Sequence, residues 1–232
     1  ELPRLGLIAS SVRDDDLMLT IPGVDSISVP SPLDSSSRVV DVWRDNCRGF
    51  DCGDVIASTL TRFLERDVRL VKFDPSMARF SDRQFTSEIA AQLRFSDGFP
   101  VLLIAEESLE DLNVRLPTPL PMNRFRPNVV IRGLGPYSED LVHEFHVGAV
   151  TMRVVKPCMR CKITATDQAT ADVDEQEPLR PLKTYRWNRD LRRVAFGQNL
   201  VVITGAKQSL RLGQSFHVAP VTNPALCSGP FL

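Results

Sequence analysis

The sequence predicts a mainly β chain of the α+β kind, with a few short helices. Three observations carry that expectation. Short runs of alternating apolar and polar residues recur at close spacing, Pro, Gly and Ser punctuate them, and the pattern changes to clear helical spacing in one stretch near residue 54. The chain of 232 residues is 43% hydrophobic, enough to fill one large or two small cores.

In order along the chain, Leu2–Ala9 is apolar with little helical period and reads as extended. Asp14-Asp15-Asp16 reads as a solvated turn before the strand Leu17–Thr20, and Ser26–Val29 reads as another strand. Pro22-Gly23 and Pro30-Ser31-Pro32 punctuate. Arg38–Trp43 alternates again, so the N-terminal part suggests a small antiparallel barrel or sandwich. From Asp54 to Leu64 the apolar residues Val55/Ile56, Leu60 and Phe63/Leu64 recur at helical spacing, with acidic Asp54 suited to the first turn. Val68–Phe73 returns to strand, and Phe73-Asp74-Pro75 marks a boundary. A weak helix is expected around Ser87–Leu93. A turn at Phe95–Pro100 feeds the apolar strand Val101–Ile104, and Ser108 is expected to cap a helix over Leu109–Val114.

Further on, Arg124–Ile131 reads as a strand on which Arg126 and Asn128, two apart, share a face. A cation and an amide side by side suit an anionic, hydrogen-bonding ligand, with Arg124 on the same side. His143 and His146 read as ordinary loop or strand histidines. Val147–Val155 reads as strand, Lys162–Thr166 as strand, and the acidic run Asp172–Glu177 as disordered. Phe196–Val202 enters another core strand.

Composition excludes several classes of function. A net charge of −1 argues against a nucleic-acid surface. No apolar run reaches the ~18 residues that crossing a bilayer requires, so no membrane span is expected. Five cysteines, an odd number in a chain too large to need staples, point to a reducing compartment, taken as the cytoplasm. The chain opens at Glu1 inside an apparent strand and is expected to be a fragment that continues upstream.

The stretch with most chemistry is Pro157-Cys158-Met159-Arg160-Cys161-Lys162-Ile163-Thr164. Thiolates are soft ligands suited to transition metals, and an Arg between them favours the thiolate and suits an anion. Spacing alone leaves the alternatives open: half a zinc site, a redox pair, or chance. Cys47 and Cys52 have four residues between them and do not supply a second zinc pair.

Taken with the residues that follow, Pro157–Asp167, then Glu177-Pro178-Leu179 and Leu182-Lys183-Thr184-Tyr185-Arg186, the stretch resembles the MOSC domain. The resemblance extends to Arg124–Ile131 and Phe196-Gly197-Gln198-Asn199-Leu200. The nearest branch contains the mitochondrial amidoxime-reducing component and bacterial N-hydroxylated-base reductases. The N-terminal part, including Asp51-Cys52-Gly53-Asp54, resembles the MOSC N-terminal barrel. The resemblance implies two packed β-barrel domains, residues 1–73 and 78–220. It also implies a molybdenum–pterin cofactor with Cys161 as the metal ligand and catalytic residue. Gly98, Phe99, Arg126, Asn128, Met159 and Arg160 would hold the cofactor, Cys158 would support the loop, and Leu182–Arg186 would lie near the site. The implied reaction removes oxygen from small N-hydroxylated substrates such as N-hydroxylated bases and amidoximes. Electrons would come from a separate ferredoxin-, flavin- or cytochrome-type protein, or from a part of the full chain beyond Leu232, because the tail has only Cys227 for a cluster that needs four. A sulfur-carrier module, or a cofactor-binding protein without turnover, are the alternatives.

Overall fold

The structure, a computed structural model, describes residues 2–14, 16–29, 36–174 and 176–220. The expectations at Glu1, Asp15, Pro30–Pro32, Glu175 and Cys227 lie outside them. Strand makes up 36% and helix 23%, in keeping with a mainly β chain carrying few helices. The chain divides into two compact units. One is built up to Arg79 together with Thr166–Val173, and the other from Phe80–Ala165 and the described chain from Asp174 onward.

In the first unit, Leu2–Ala9 is not extended. Pro3–Leu7 forms a 3-10 turn with Pro at its start, where a fixed φ and a missing N–H cost nothing. Then β1 (Ala9–Arg13), β2 (Asp16–Thr20) and β3 (Ile27–Val29) form an antiparallel meander. β4 (Ser37–Val42), β5 (Asp45–Asp51) and β6 (Val71–Phe73) form a second antiparallel sheet. Helix α1 spans Asp54–Leu64 and buries Ile56, Ala57, Leu60, Phe63 and Leu64, the stripe its spacing predicts. They pack with Leu19, Ile21, Val29 and Cys52. Cys52 is thus a buried core residue whose thiol burial pushes up, and not a ligand.

Asp51 governs the start of α1. Gly53 at the N-cap position offers no side chain, and Asp51 Oδ1 instead accepts from the Gly53 N–H at 2.9 Å. The carboxylate, 4% exposed, also receives Arg69, with Nη2 at 2.9 Å, and Arg38. The Arg69 hydrogen bonds hold its pKa well below the usual carboxylate range. A depressed folded-state pKa contributes stability that is complete above the unfolded value of about 4 and is lost as pH falls below it. Asp51→Ala is expected to cost about 2–3 kcal/mol at pH 7, less than a wholly buried pair because both arginines keep partial contact with water. Urea unfolding of variant and wild type should converge between about pH 4 and pH 2. Asp54, 93% exposed on the same Arg69, should change stability by under ~1 kcal/mol when replaced by Ala.

The second unit opens with two short strands, β7 (Arg79–Phe80) and β8 (Gln92–Leu93), with helix α2 (Arg83–Thr86) between them. The weak helix expected at Ser87–Leu93 sits a turn earlier because Asp82 caps it, Oδ1 accepting from Gln84 N at 2.9 Å. Then come β9 (Val101–Ala105), α3 (Glu106–Val114), β10 (Val129–Ile131), β11 (Val142–Val147), β12 (Val150–Met159), α4 (Leu179–Tyr185), β13 (Trp187–Asn188), β14 (Arg193–Thr204) and β15 (His217–Pro220). Seven strands form one sheet in the order β10-β9-β14-β12-β11-β15, with β13 paired to β14. The sheet curls into a half-barrel. Only β9 and β10 are parallel among these pairs, joined across α3 as a parallel pair requires. Ser108 does not cap that helix. It lies inside α3, fully buried, with Oγ 2.8 Å from both oxygens of buried Glu139. Burial pushes the Glu139 carboxyl up.

β14 is the spine of this unit. Val194 and Phe196 pack in one cluster with Leu102, Ile104, Leu112 and Phe125, and Leu200 packs in another with Leu103, Phe145 and Met152. Gly197 lets β14 and β9 touch: its φ is +79°, and a Cβ there would lie 2.6 Å from Ile104 Cγ1 and 2.8 Å from the Leu103 carbonyl oxygen.

Candidate functional site

Cys158, Met159, Arg160 and Cys161 lie where β12 runs out. Along β14 the register steps irregularly, with Lys156 opposite Asn199, Pro157 opposite Gln198 and Met159 opposite Ala195. Bulges of this kind re-aim side chains at the end of a strand. Arg160 N donates to Val194 O at 2.8 Å and closes the ladder. Cys161 then leaves it.

The strand expected at Lys162–Thr166 is a 3-10 turn, Lys162–Ala165. Ile163 and Thr164 favour strand, but Thr164 satisfies its own backbone locally: Oγ1 and N donate to Cys161 O at 2.9 and 3.3 Å. Arg124 Nη1 completes the turn by donating to Ala165 O at 3.1 Å and Thr164 O at 3.4 Å. The acidic run after it is not disordered where described. Thr166 bridges Val173, and the Asp167 carboxylate accepts from Ala169 N at 2.8 Å.

The two thiols are placed differently. Cys158 is half-buried against the cluster containing Phe125 and Phe196, and Arg160 Nη1 donates to its Sγ at 3.0 Å. Cys161 is exposed, and its thiol has no hydrogen-bond partner among the described residues. Arg160 also donates from Nη2 to Phe125 O at 2.8 Å, with its guanidinium 5.4 Å from the Phe125 ring centre. Its Nε is buried without a hydrogen-bond partner. Met159 is half-buried in the ladder opposite Ala195.

Arg126 and Asn128 do not share a strand face. Met122–Phe125 is a 3-10 turn, and Arg126 takes a left-handed conformation at φ 55°. Pro127 has no N–H to give a ladder, so β10 starts only at Val129. Arg124 is buried and turned to the Thr164–Ala165 carbonyls, away from any common face with Arg126. Asn128 instead pairs with β9: its Oδ1 accepts from Leu102 N and its N donates to Leu102 O, both at 2.9 Å. That leaves the Nδ2 amide and the exposed Arg126 guanidinium with no partner among the described residues.

Gly98 and Phe99 lie in the bend that feeds β9. A Cβ at Gly98 would meet nothing within 4 Å, so the space beside this backbone is open. Phe99 stacks edge-on against Phe85, ring centres 6.1 Å apart. Lys156 Nζ sits 3.9 Å from the Phe85 ring centre and 5.9 Å from that of Phe99. Burial holds Lys156 below the ordinary lysine range. Sequence reading missed Lys156. Its signal was a cation set between Val154-Val155 and Pro157 in a strand that also carries Arg153. Leu182–Arg186, expected near the site in a scaffold or a substrate role, contributes packing and buried bonds. It lies in and just past α4, and Arg186 is buried with Asp140, Nη2 to Oδ2 2.7 Å, while its Nε donates to Ala195 O at 3.3 Å.

The donor set fits a thiolate-ligated, anionic group. One open soft sulfur, an exposed guanidinium and an amide without partners among the described residues, and an open backbone bend supply what such a group needs. Among the described residues no three His, Cys, Asp or Glu converge.

Residues 90–217 match the MOSC domain, and residues 1–67 match the MOSC N-terminal beta barrel domain. Mitochondrial amidoxime reducing component 2 of Bos taurus is 39% identical over 189 residues, covering 79% of this chain and 56% of that protein. The Rattus norvegicus protein of the same name is 38% identical over 191 residues, with the same coverage. Mitochondrial amidoxime-reducing component 1 of Homo sapiens is 34% identical over 202 residues, covering 85% of this chain and 60% of that protein. The chain thus spans a little over half the length of these relatives.

Proposed function

This chain belongs to the MOSC-domain family, and from that premise we propose that it is a molybdenum-cofactor-dependent reductase that removes oxygen from N-hydroxylated bases and amidoximes. The observation that carries the reading is the contrast between the thiols: Cys158 is engaged by Arg160, whereas Cys161 stands exposed and unengaged on an ordered turn. The names of the relatives support amidoxime reduction.

Each candidate residue has a role in this reading. Cys161 supplies the protein thiolate to molybdenum. Arg126 and Asn128 Nδ2 would hold the phosphate or pterin, each a donor without a partner among the described residues, and the Arg160 guanidinium would add positive charge beside Cys161. Backbone groups at Gly98 and Met159, and the Phe99 ring, line the pterin. When bound, the cofactor supplies the two-electron redox change that takes oxygen from nitrogen; positioning and charge come from the protein. Reduction of an N-hydroxyl to an amine and water consumes two electrons and two protons. A separate electron-donor protein of ferredoxin, flavin or cytochrome type delivers the electrons.

We propose domain limits of 1–73 and 78–220 for the N-terminal and MOSC parts. No helix among the described residues is long and apolar enough to cross a membrane. The relatives' names point to the mitochondrion and not to the cytoplasm that cysteine usage suggests, and the reading here keeps a reducing compartment. The test is turnover of an amidoxime and an N-hydroxylated base by the cofactor-loaded chain with a chemical reductant. Formation of the amidine, or of the amino base, at a steady rate supports the reductase. Molybdenum bound without turnover leaves a storage role, and labelled sulfur passed through Cys161 leaves a carrier.

A further inference from the structure

Resting on that reading, we infer that Arg124, which donates to the carbonyls of the turn after Cys161, is a positioning residue that fixes where the Cys161 thiol sits relative to the Arg126 turn. Two guanidiniums cross between two 3-10 turns. Arg124, 7% exposed, leaves the turn Met122–Phe125 and donates to the carbonyls of Thr164 and Ala165, the end of the turn that follows Cys161. Arg160, the residue before Cys161, reaches the other way and donates to the carbonyl of Phe125, the residue before Arg126. Cys161 and Arg126 are therefore each next to a residue held by the crossing, Arg160 and Phe125.

The crossing has a physical reason to persist. The last carbonyls of a short helical turn have no donor within the turn. Thr164 and Ala165 are 0% and 2% exposed, so water does not readily serve them; Ala165 O also accepts from Asp174 N at 3.1 Å, and the Thr164 carbonyl therefore leans more on Arg124. A buried carbonyl without a partner is destabilising, and a charged donor makes a stronger bond than a neutral one. Arg124 thereby locks the two carbonyls while Thr164 locks the Cys161 carbonyl from inside the same turn. Residues that orient a ligand from behind typically change metal affinity about 10–100-fold when removed.

The test compares wild type with Arg124→Ala and Arg124→Lys in the full chain, by amide hydrogen exchange without cofactor and by molybdenum content after production in cofactor-making cells. For Arg124→Ala, amides of residues 161–166 should exchange at least about tenfold faster while those of β14 keep their rate, and molybdenum per folded chain should fall about tenfold or more. Arg124→Lys keeps the charge with a shorter reach and should fall between. It also serves if the alanine variant does not fold. Unchanged exchange at 161–166 overturns the clasp. Faster exchange everywhere, with molybdenum per folded chain unchanged, marks a merely structural arginine and overturns the positioning role. A wild-type chain that takes up no molybdenum removes the functional reading and the proposal together, whereas failure of the variants alone removes only the proposal.

Discussion

Cys161→Ser is expected to take molybdenum content and N-reduction down to background while leaving the fold intact. The thiol is exposed and packs in no core cluster, so its loss opens no cavity. A serine hydroxyl stays protonated near neutral pH and is a hard ligand, a poor substitute for a soft thiolate. The loss should exceed the ~100-fold that removal of an outer-shell partner can cause. Cys158→Ser is the informative contrast. Its oxygen still accepts from Arg160, so most of the metal should remain, with a stability loss of about 1 kcal/mol from a poorer fit against the Phe125 and Phe196 cluster. Metal analysis of the three proteins, beside their melting temperatures, decides between one ligating thiol and two. Equal metal loss in both variants would contradict the assignment of Cys161 alone.

Gly197→Ala is expected to cost about 2–4 kcal/mol of stability through a single methyl group. A left-handed backbone with a Cβ contributes ~1–2 kcal/mol, and forced overpacking typically adds ~1–3 kcal/mol. The obstacle includes a backbone oxygen, Leu103 O at 2.8 Å, which cannot rotate aside. Gly213 has the same φ of +79° with nothing within 4 Å of a Cβ, so Gly213→Ala should show the backbone part alone, about 1 kcal/mol. The difference between the two urea midpoints measures the contact between β9 and β14.

Local pattern made α1 legible to its boundaries because one amphipathic stripe and one acidic first turn agree with its packing. The strand β9 was legible as a short, continuous apolar run that the core buries, and β4 from its alternation, although its side chains stay largely exposed. What misled was tertiary context. Lys162–Ala165 has strand propensity, and it turns because Thr164 and Arg124 serve its carbonyls, the latter from forty residues away. Arg124, Arg126 and Asn128 alternate as a strand would, but Pro127 delays the ladder and the three side chains part company. The residue types of the candidate site could be read from the motif. That Cys158 is taken by Arg160, and that Lys156 sits over Phe85, required the partners to be seen in space.

The turn that presents Cys161 hangs from β14, through the bond from Arg160 N to Val194 O. On the ribosome, synthesis reaches the thiol well before it reaches that anchor. Pairing of this kind, between segments far apart in the chain, is slow to form. The Cys161 sulfur therefore has no fixed address in the nascent chain until the later strand has emerged and docked. On the proposed function, loading of a preformed cofactor would come after synthesis, as a step of maturation.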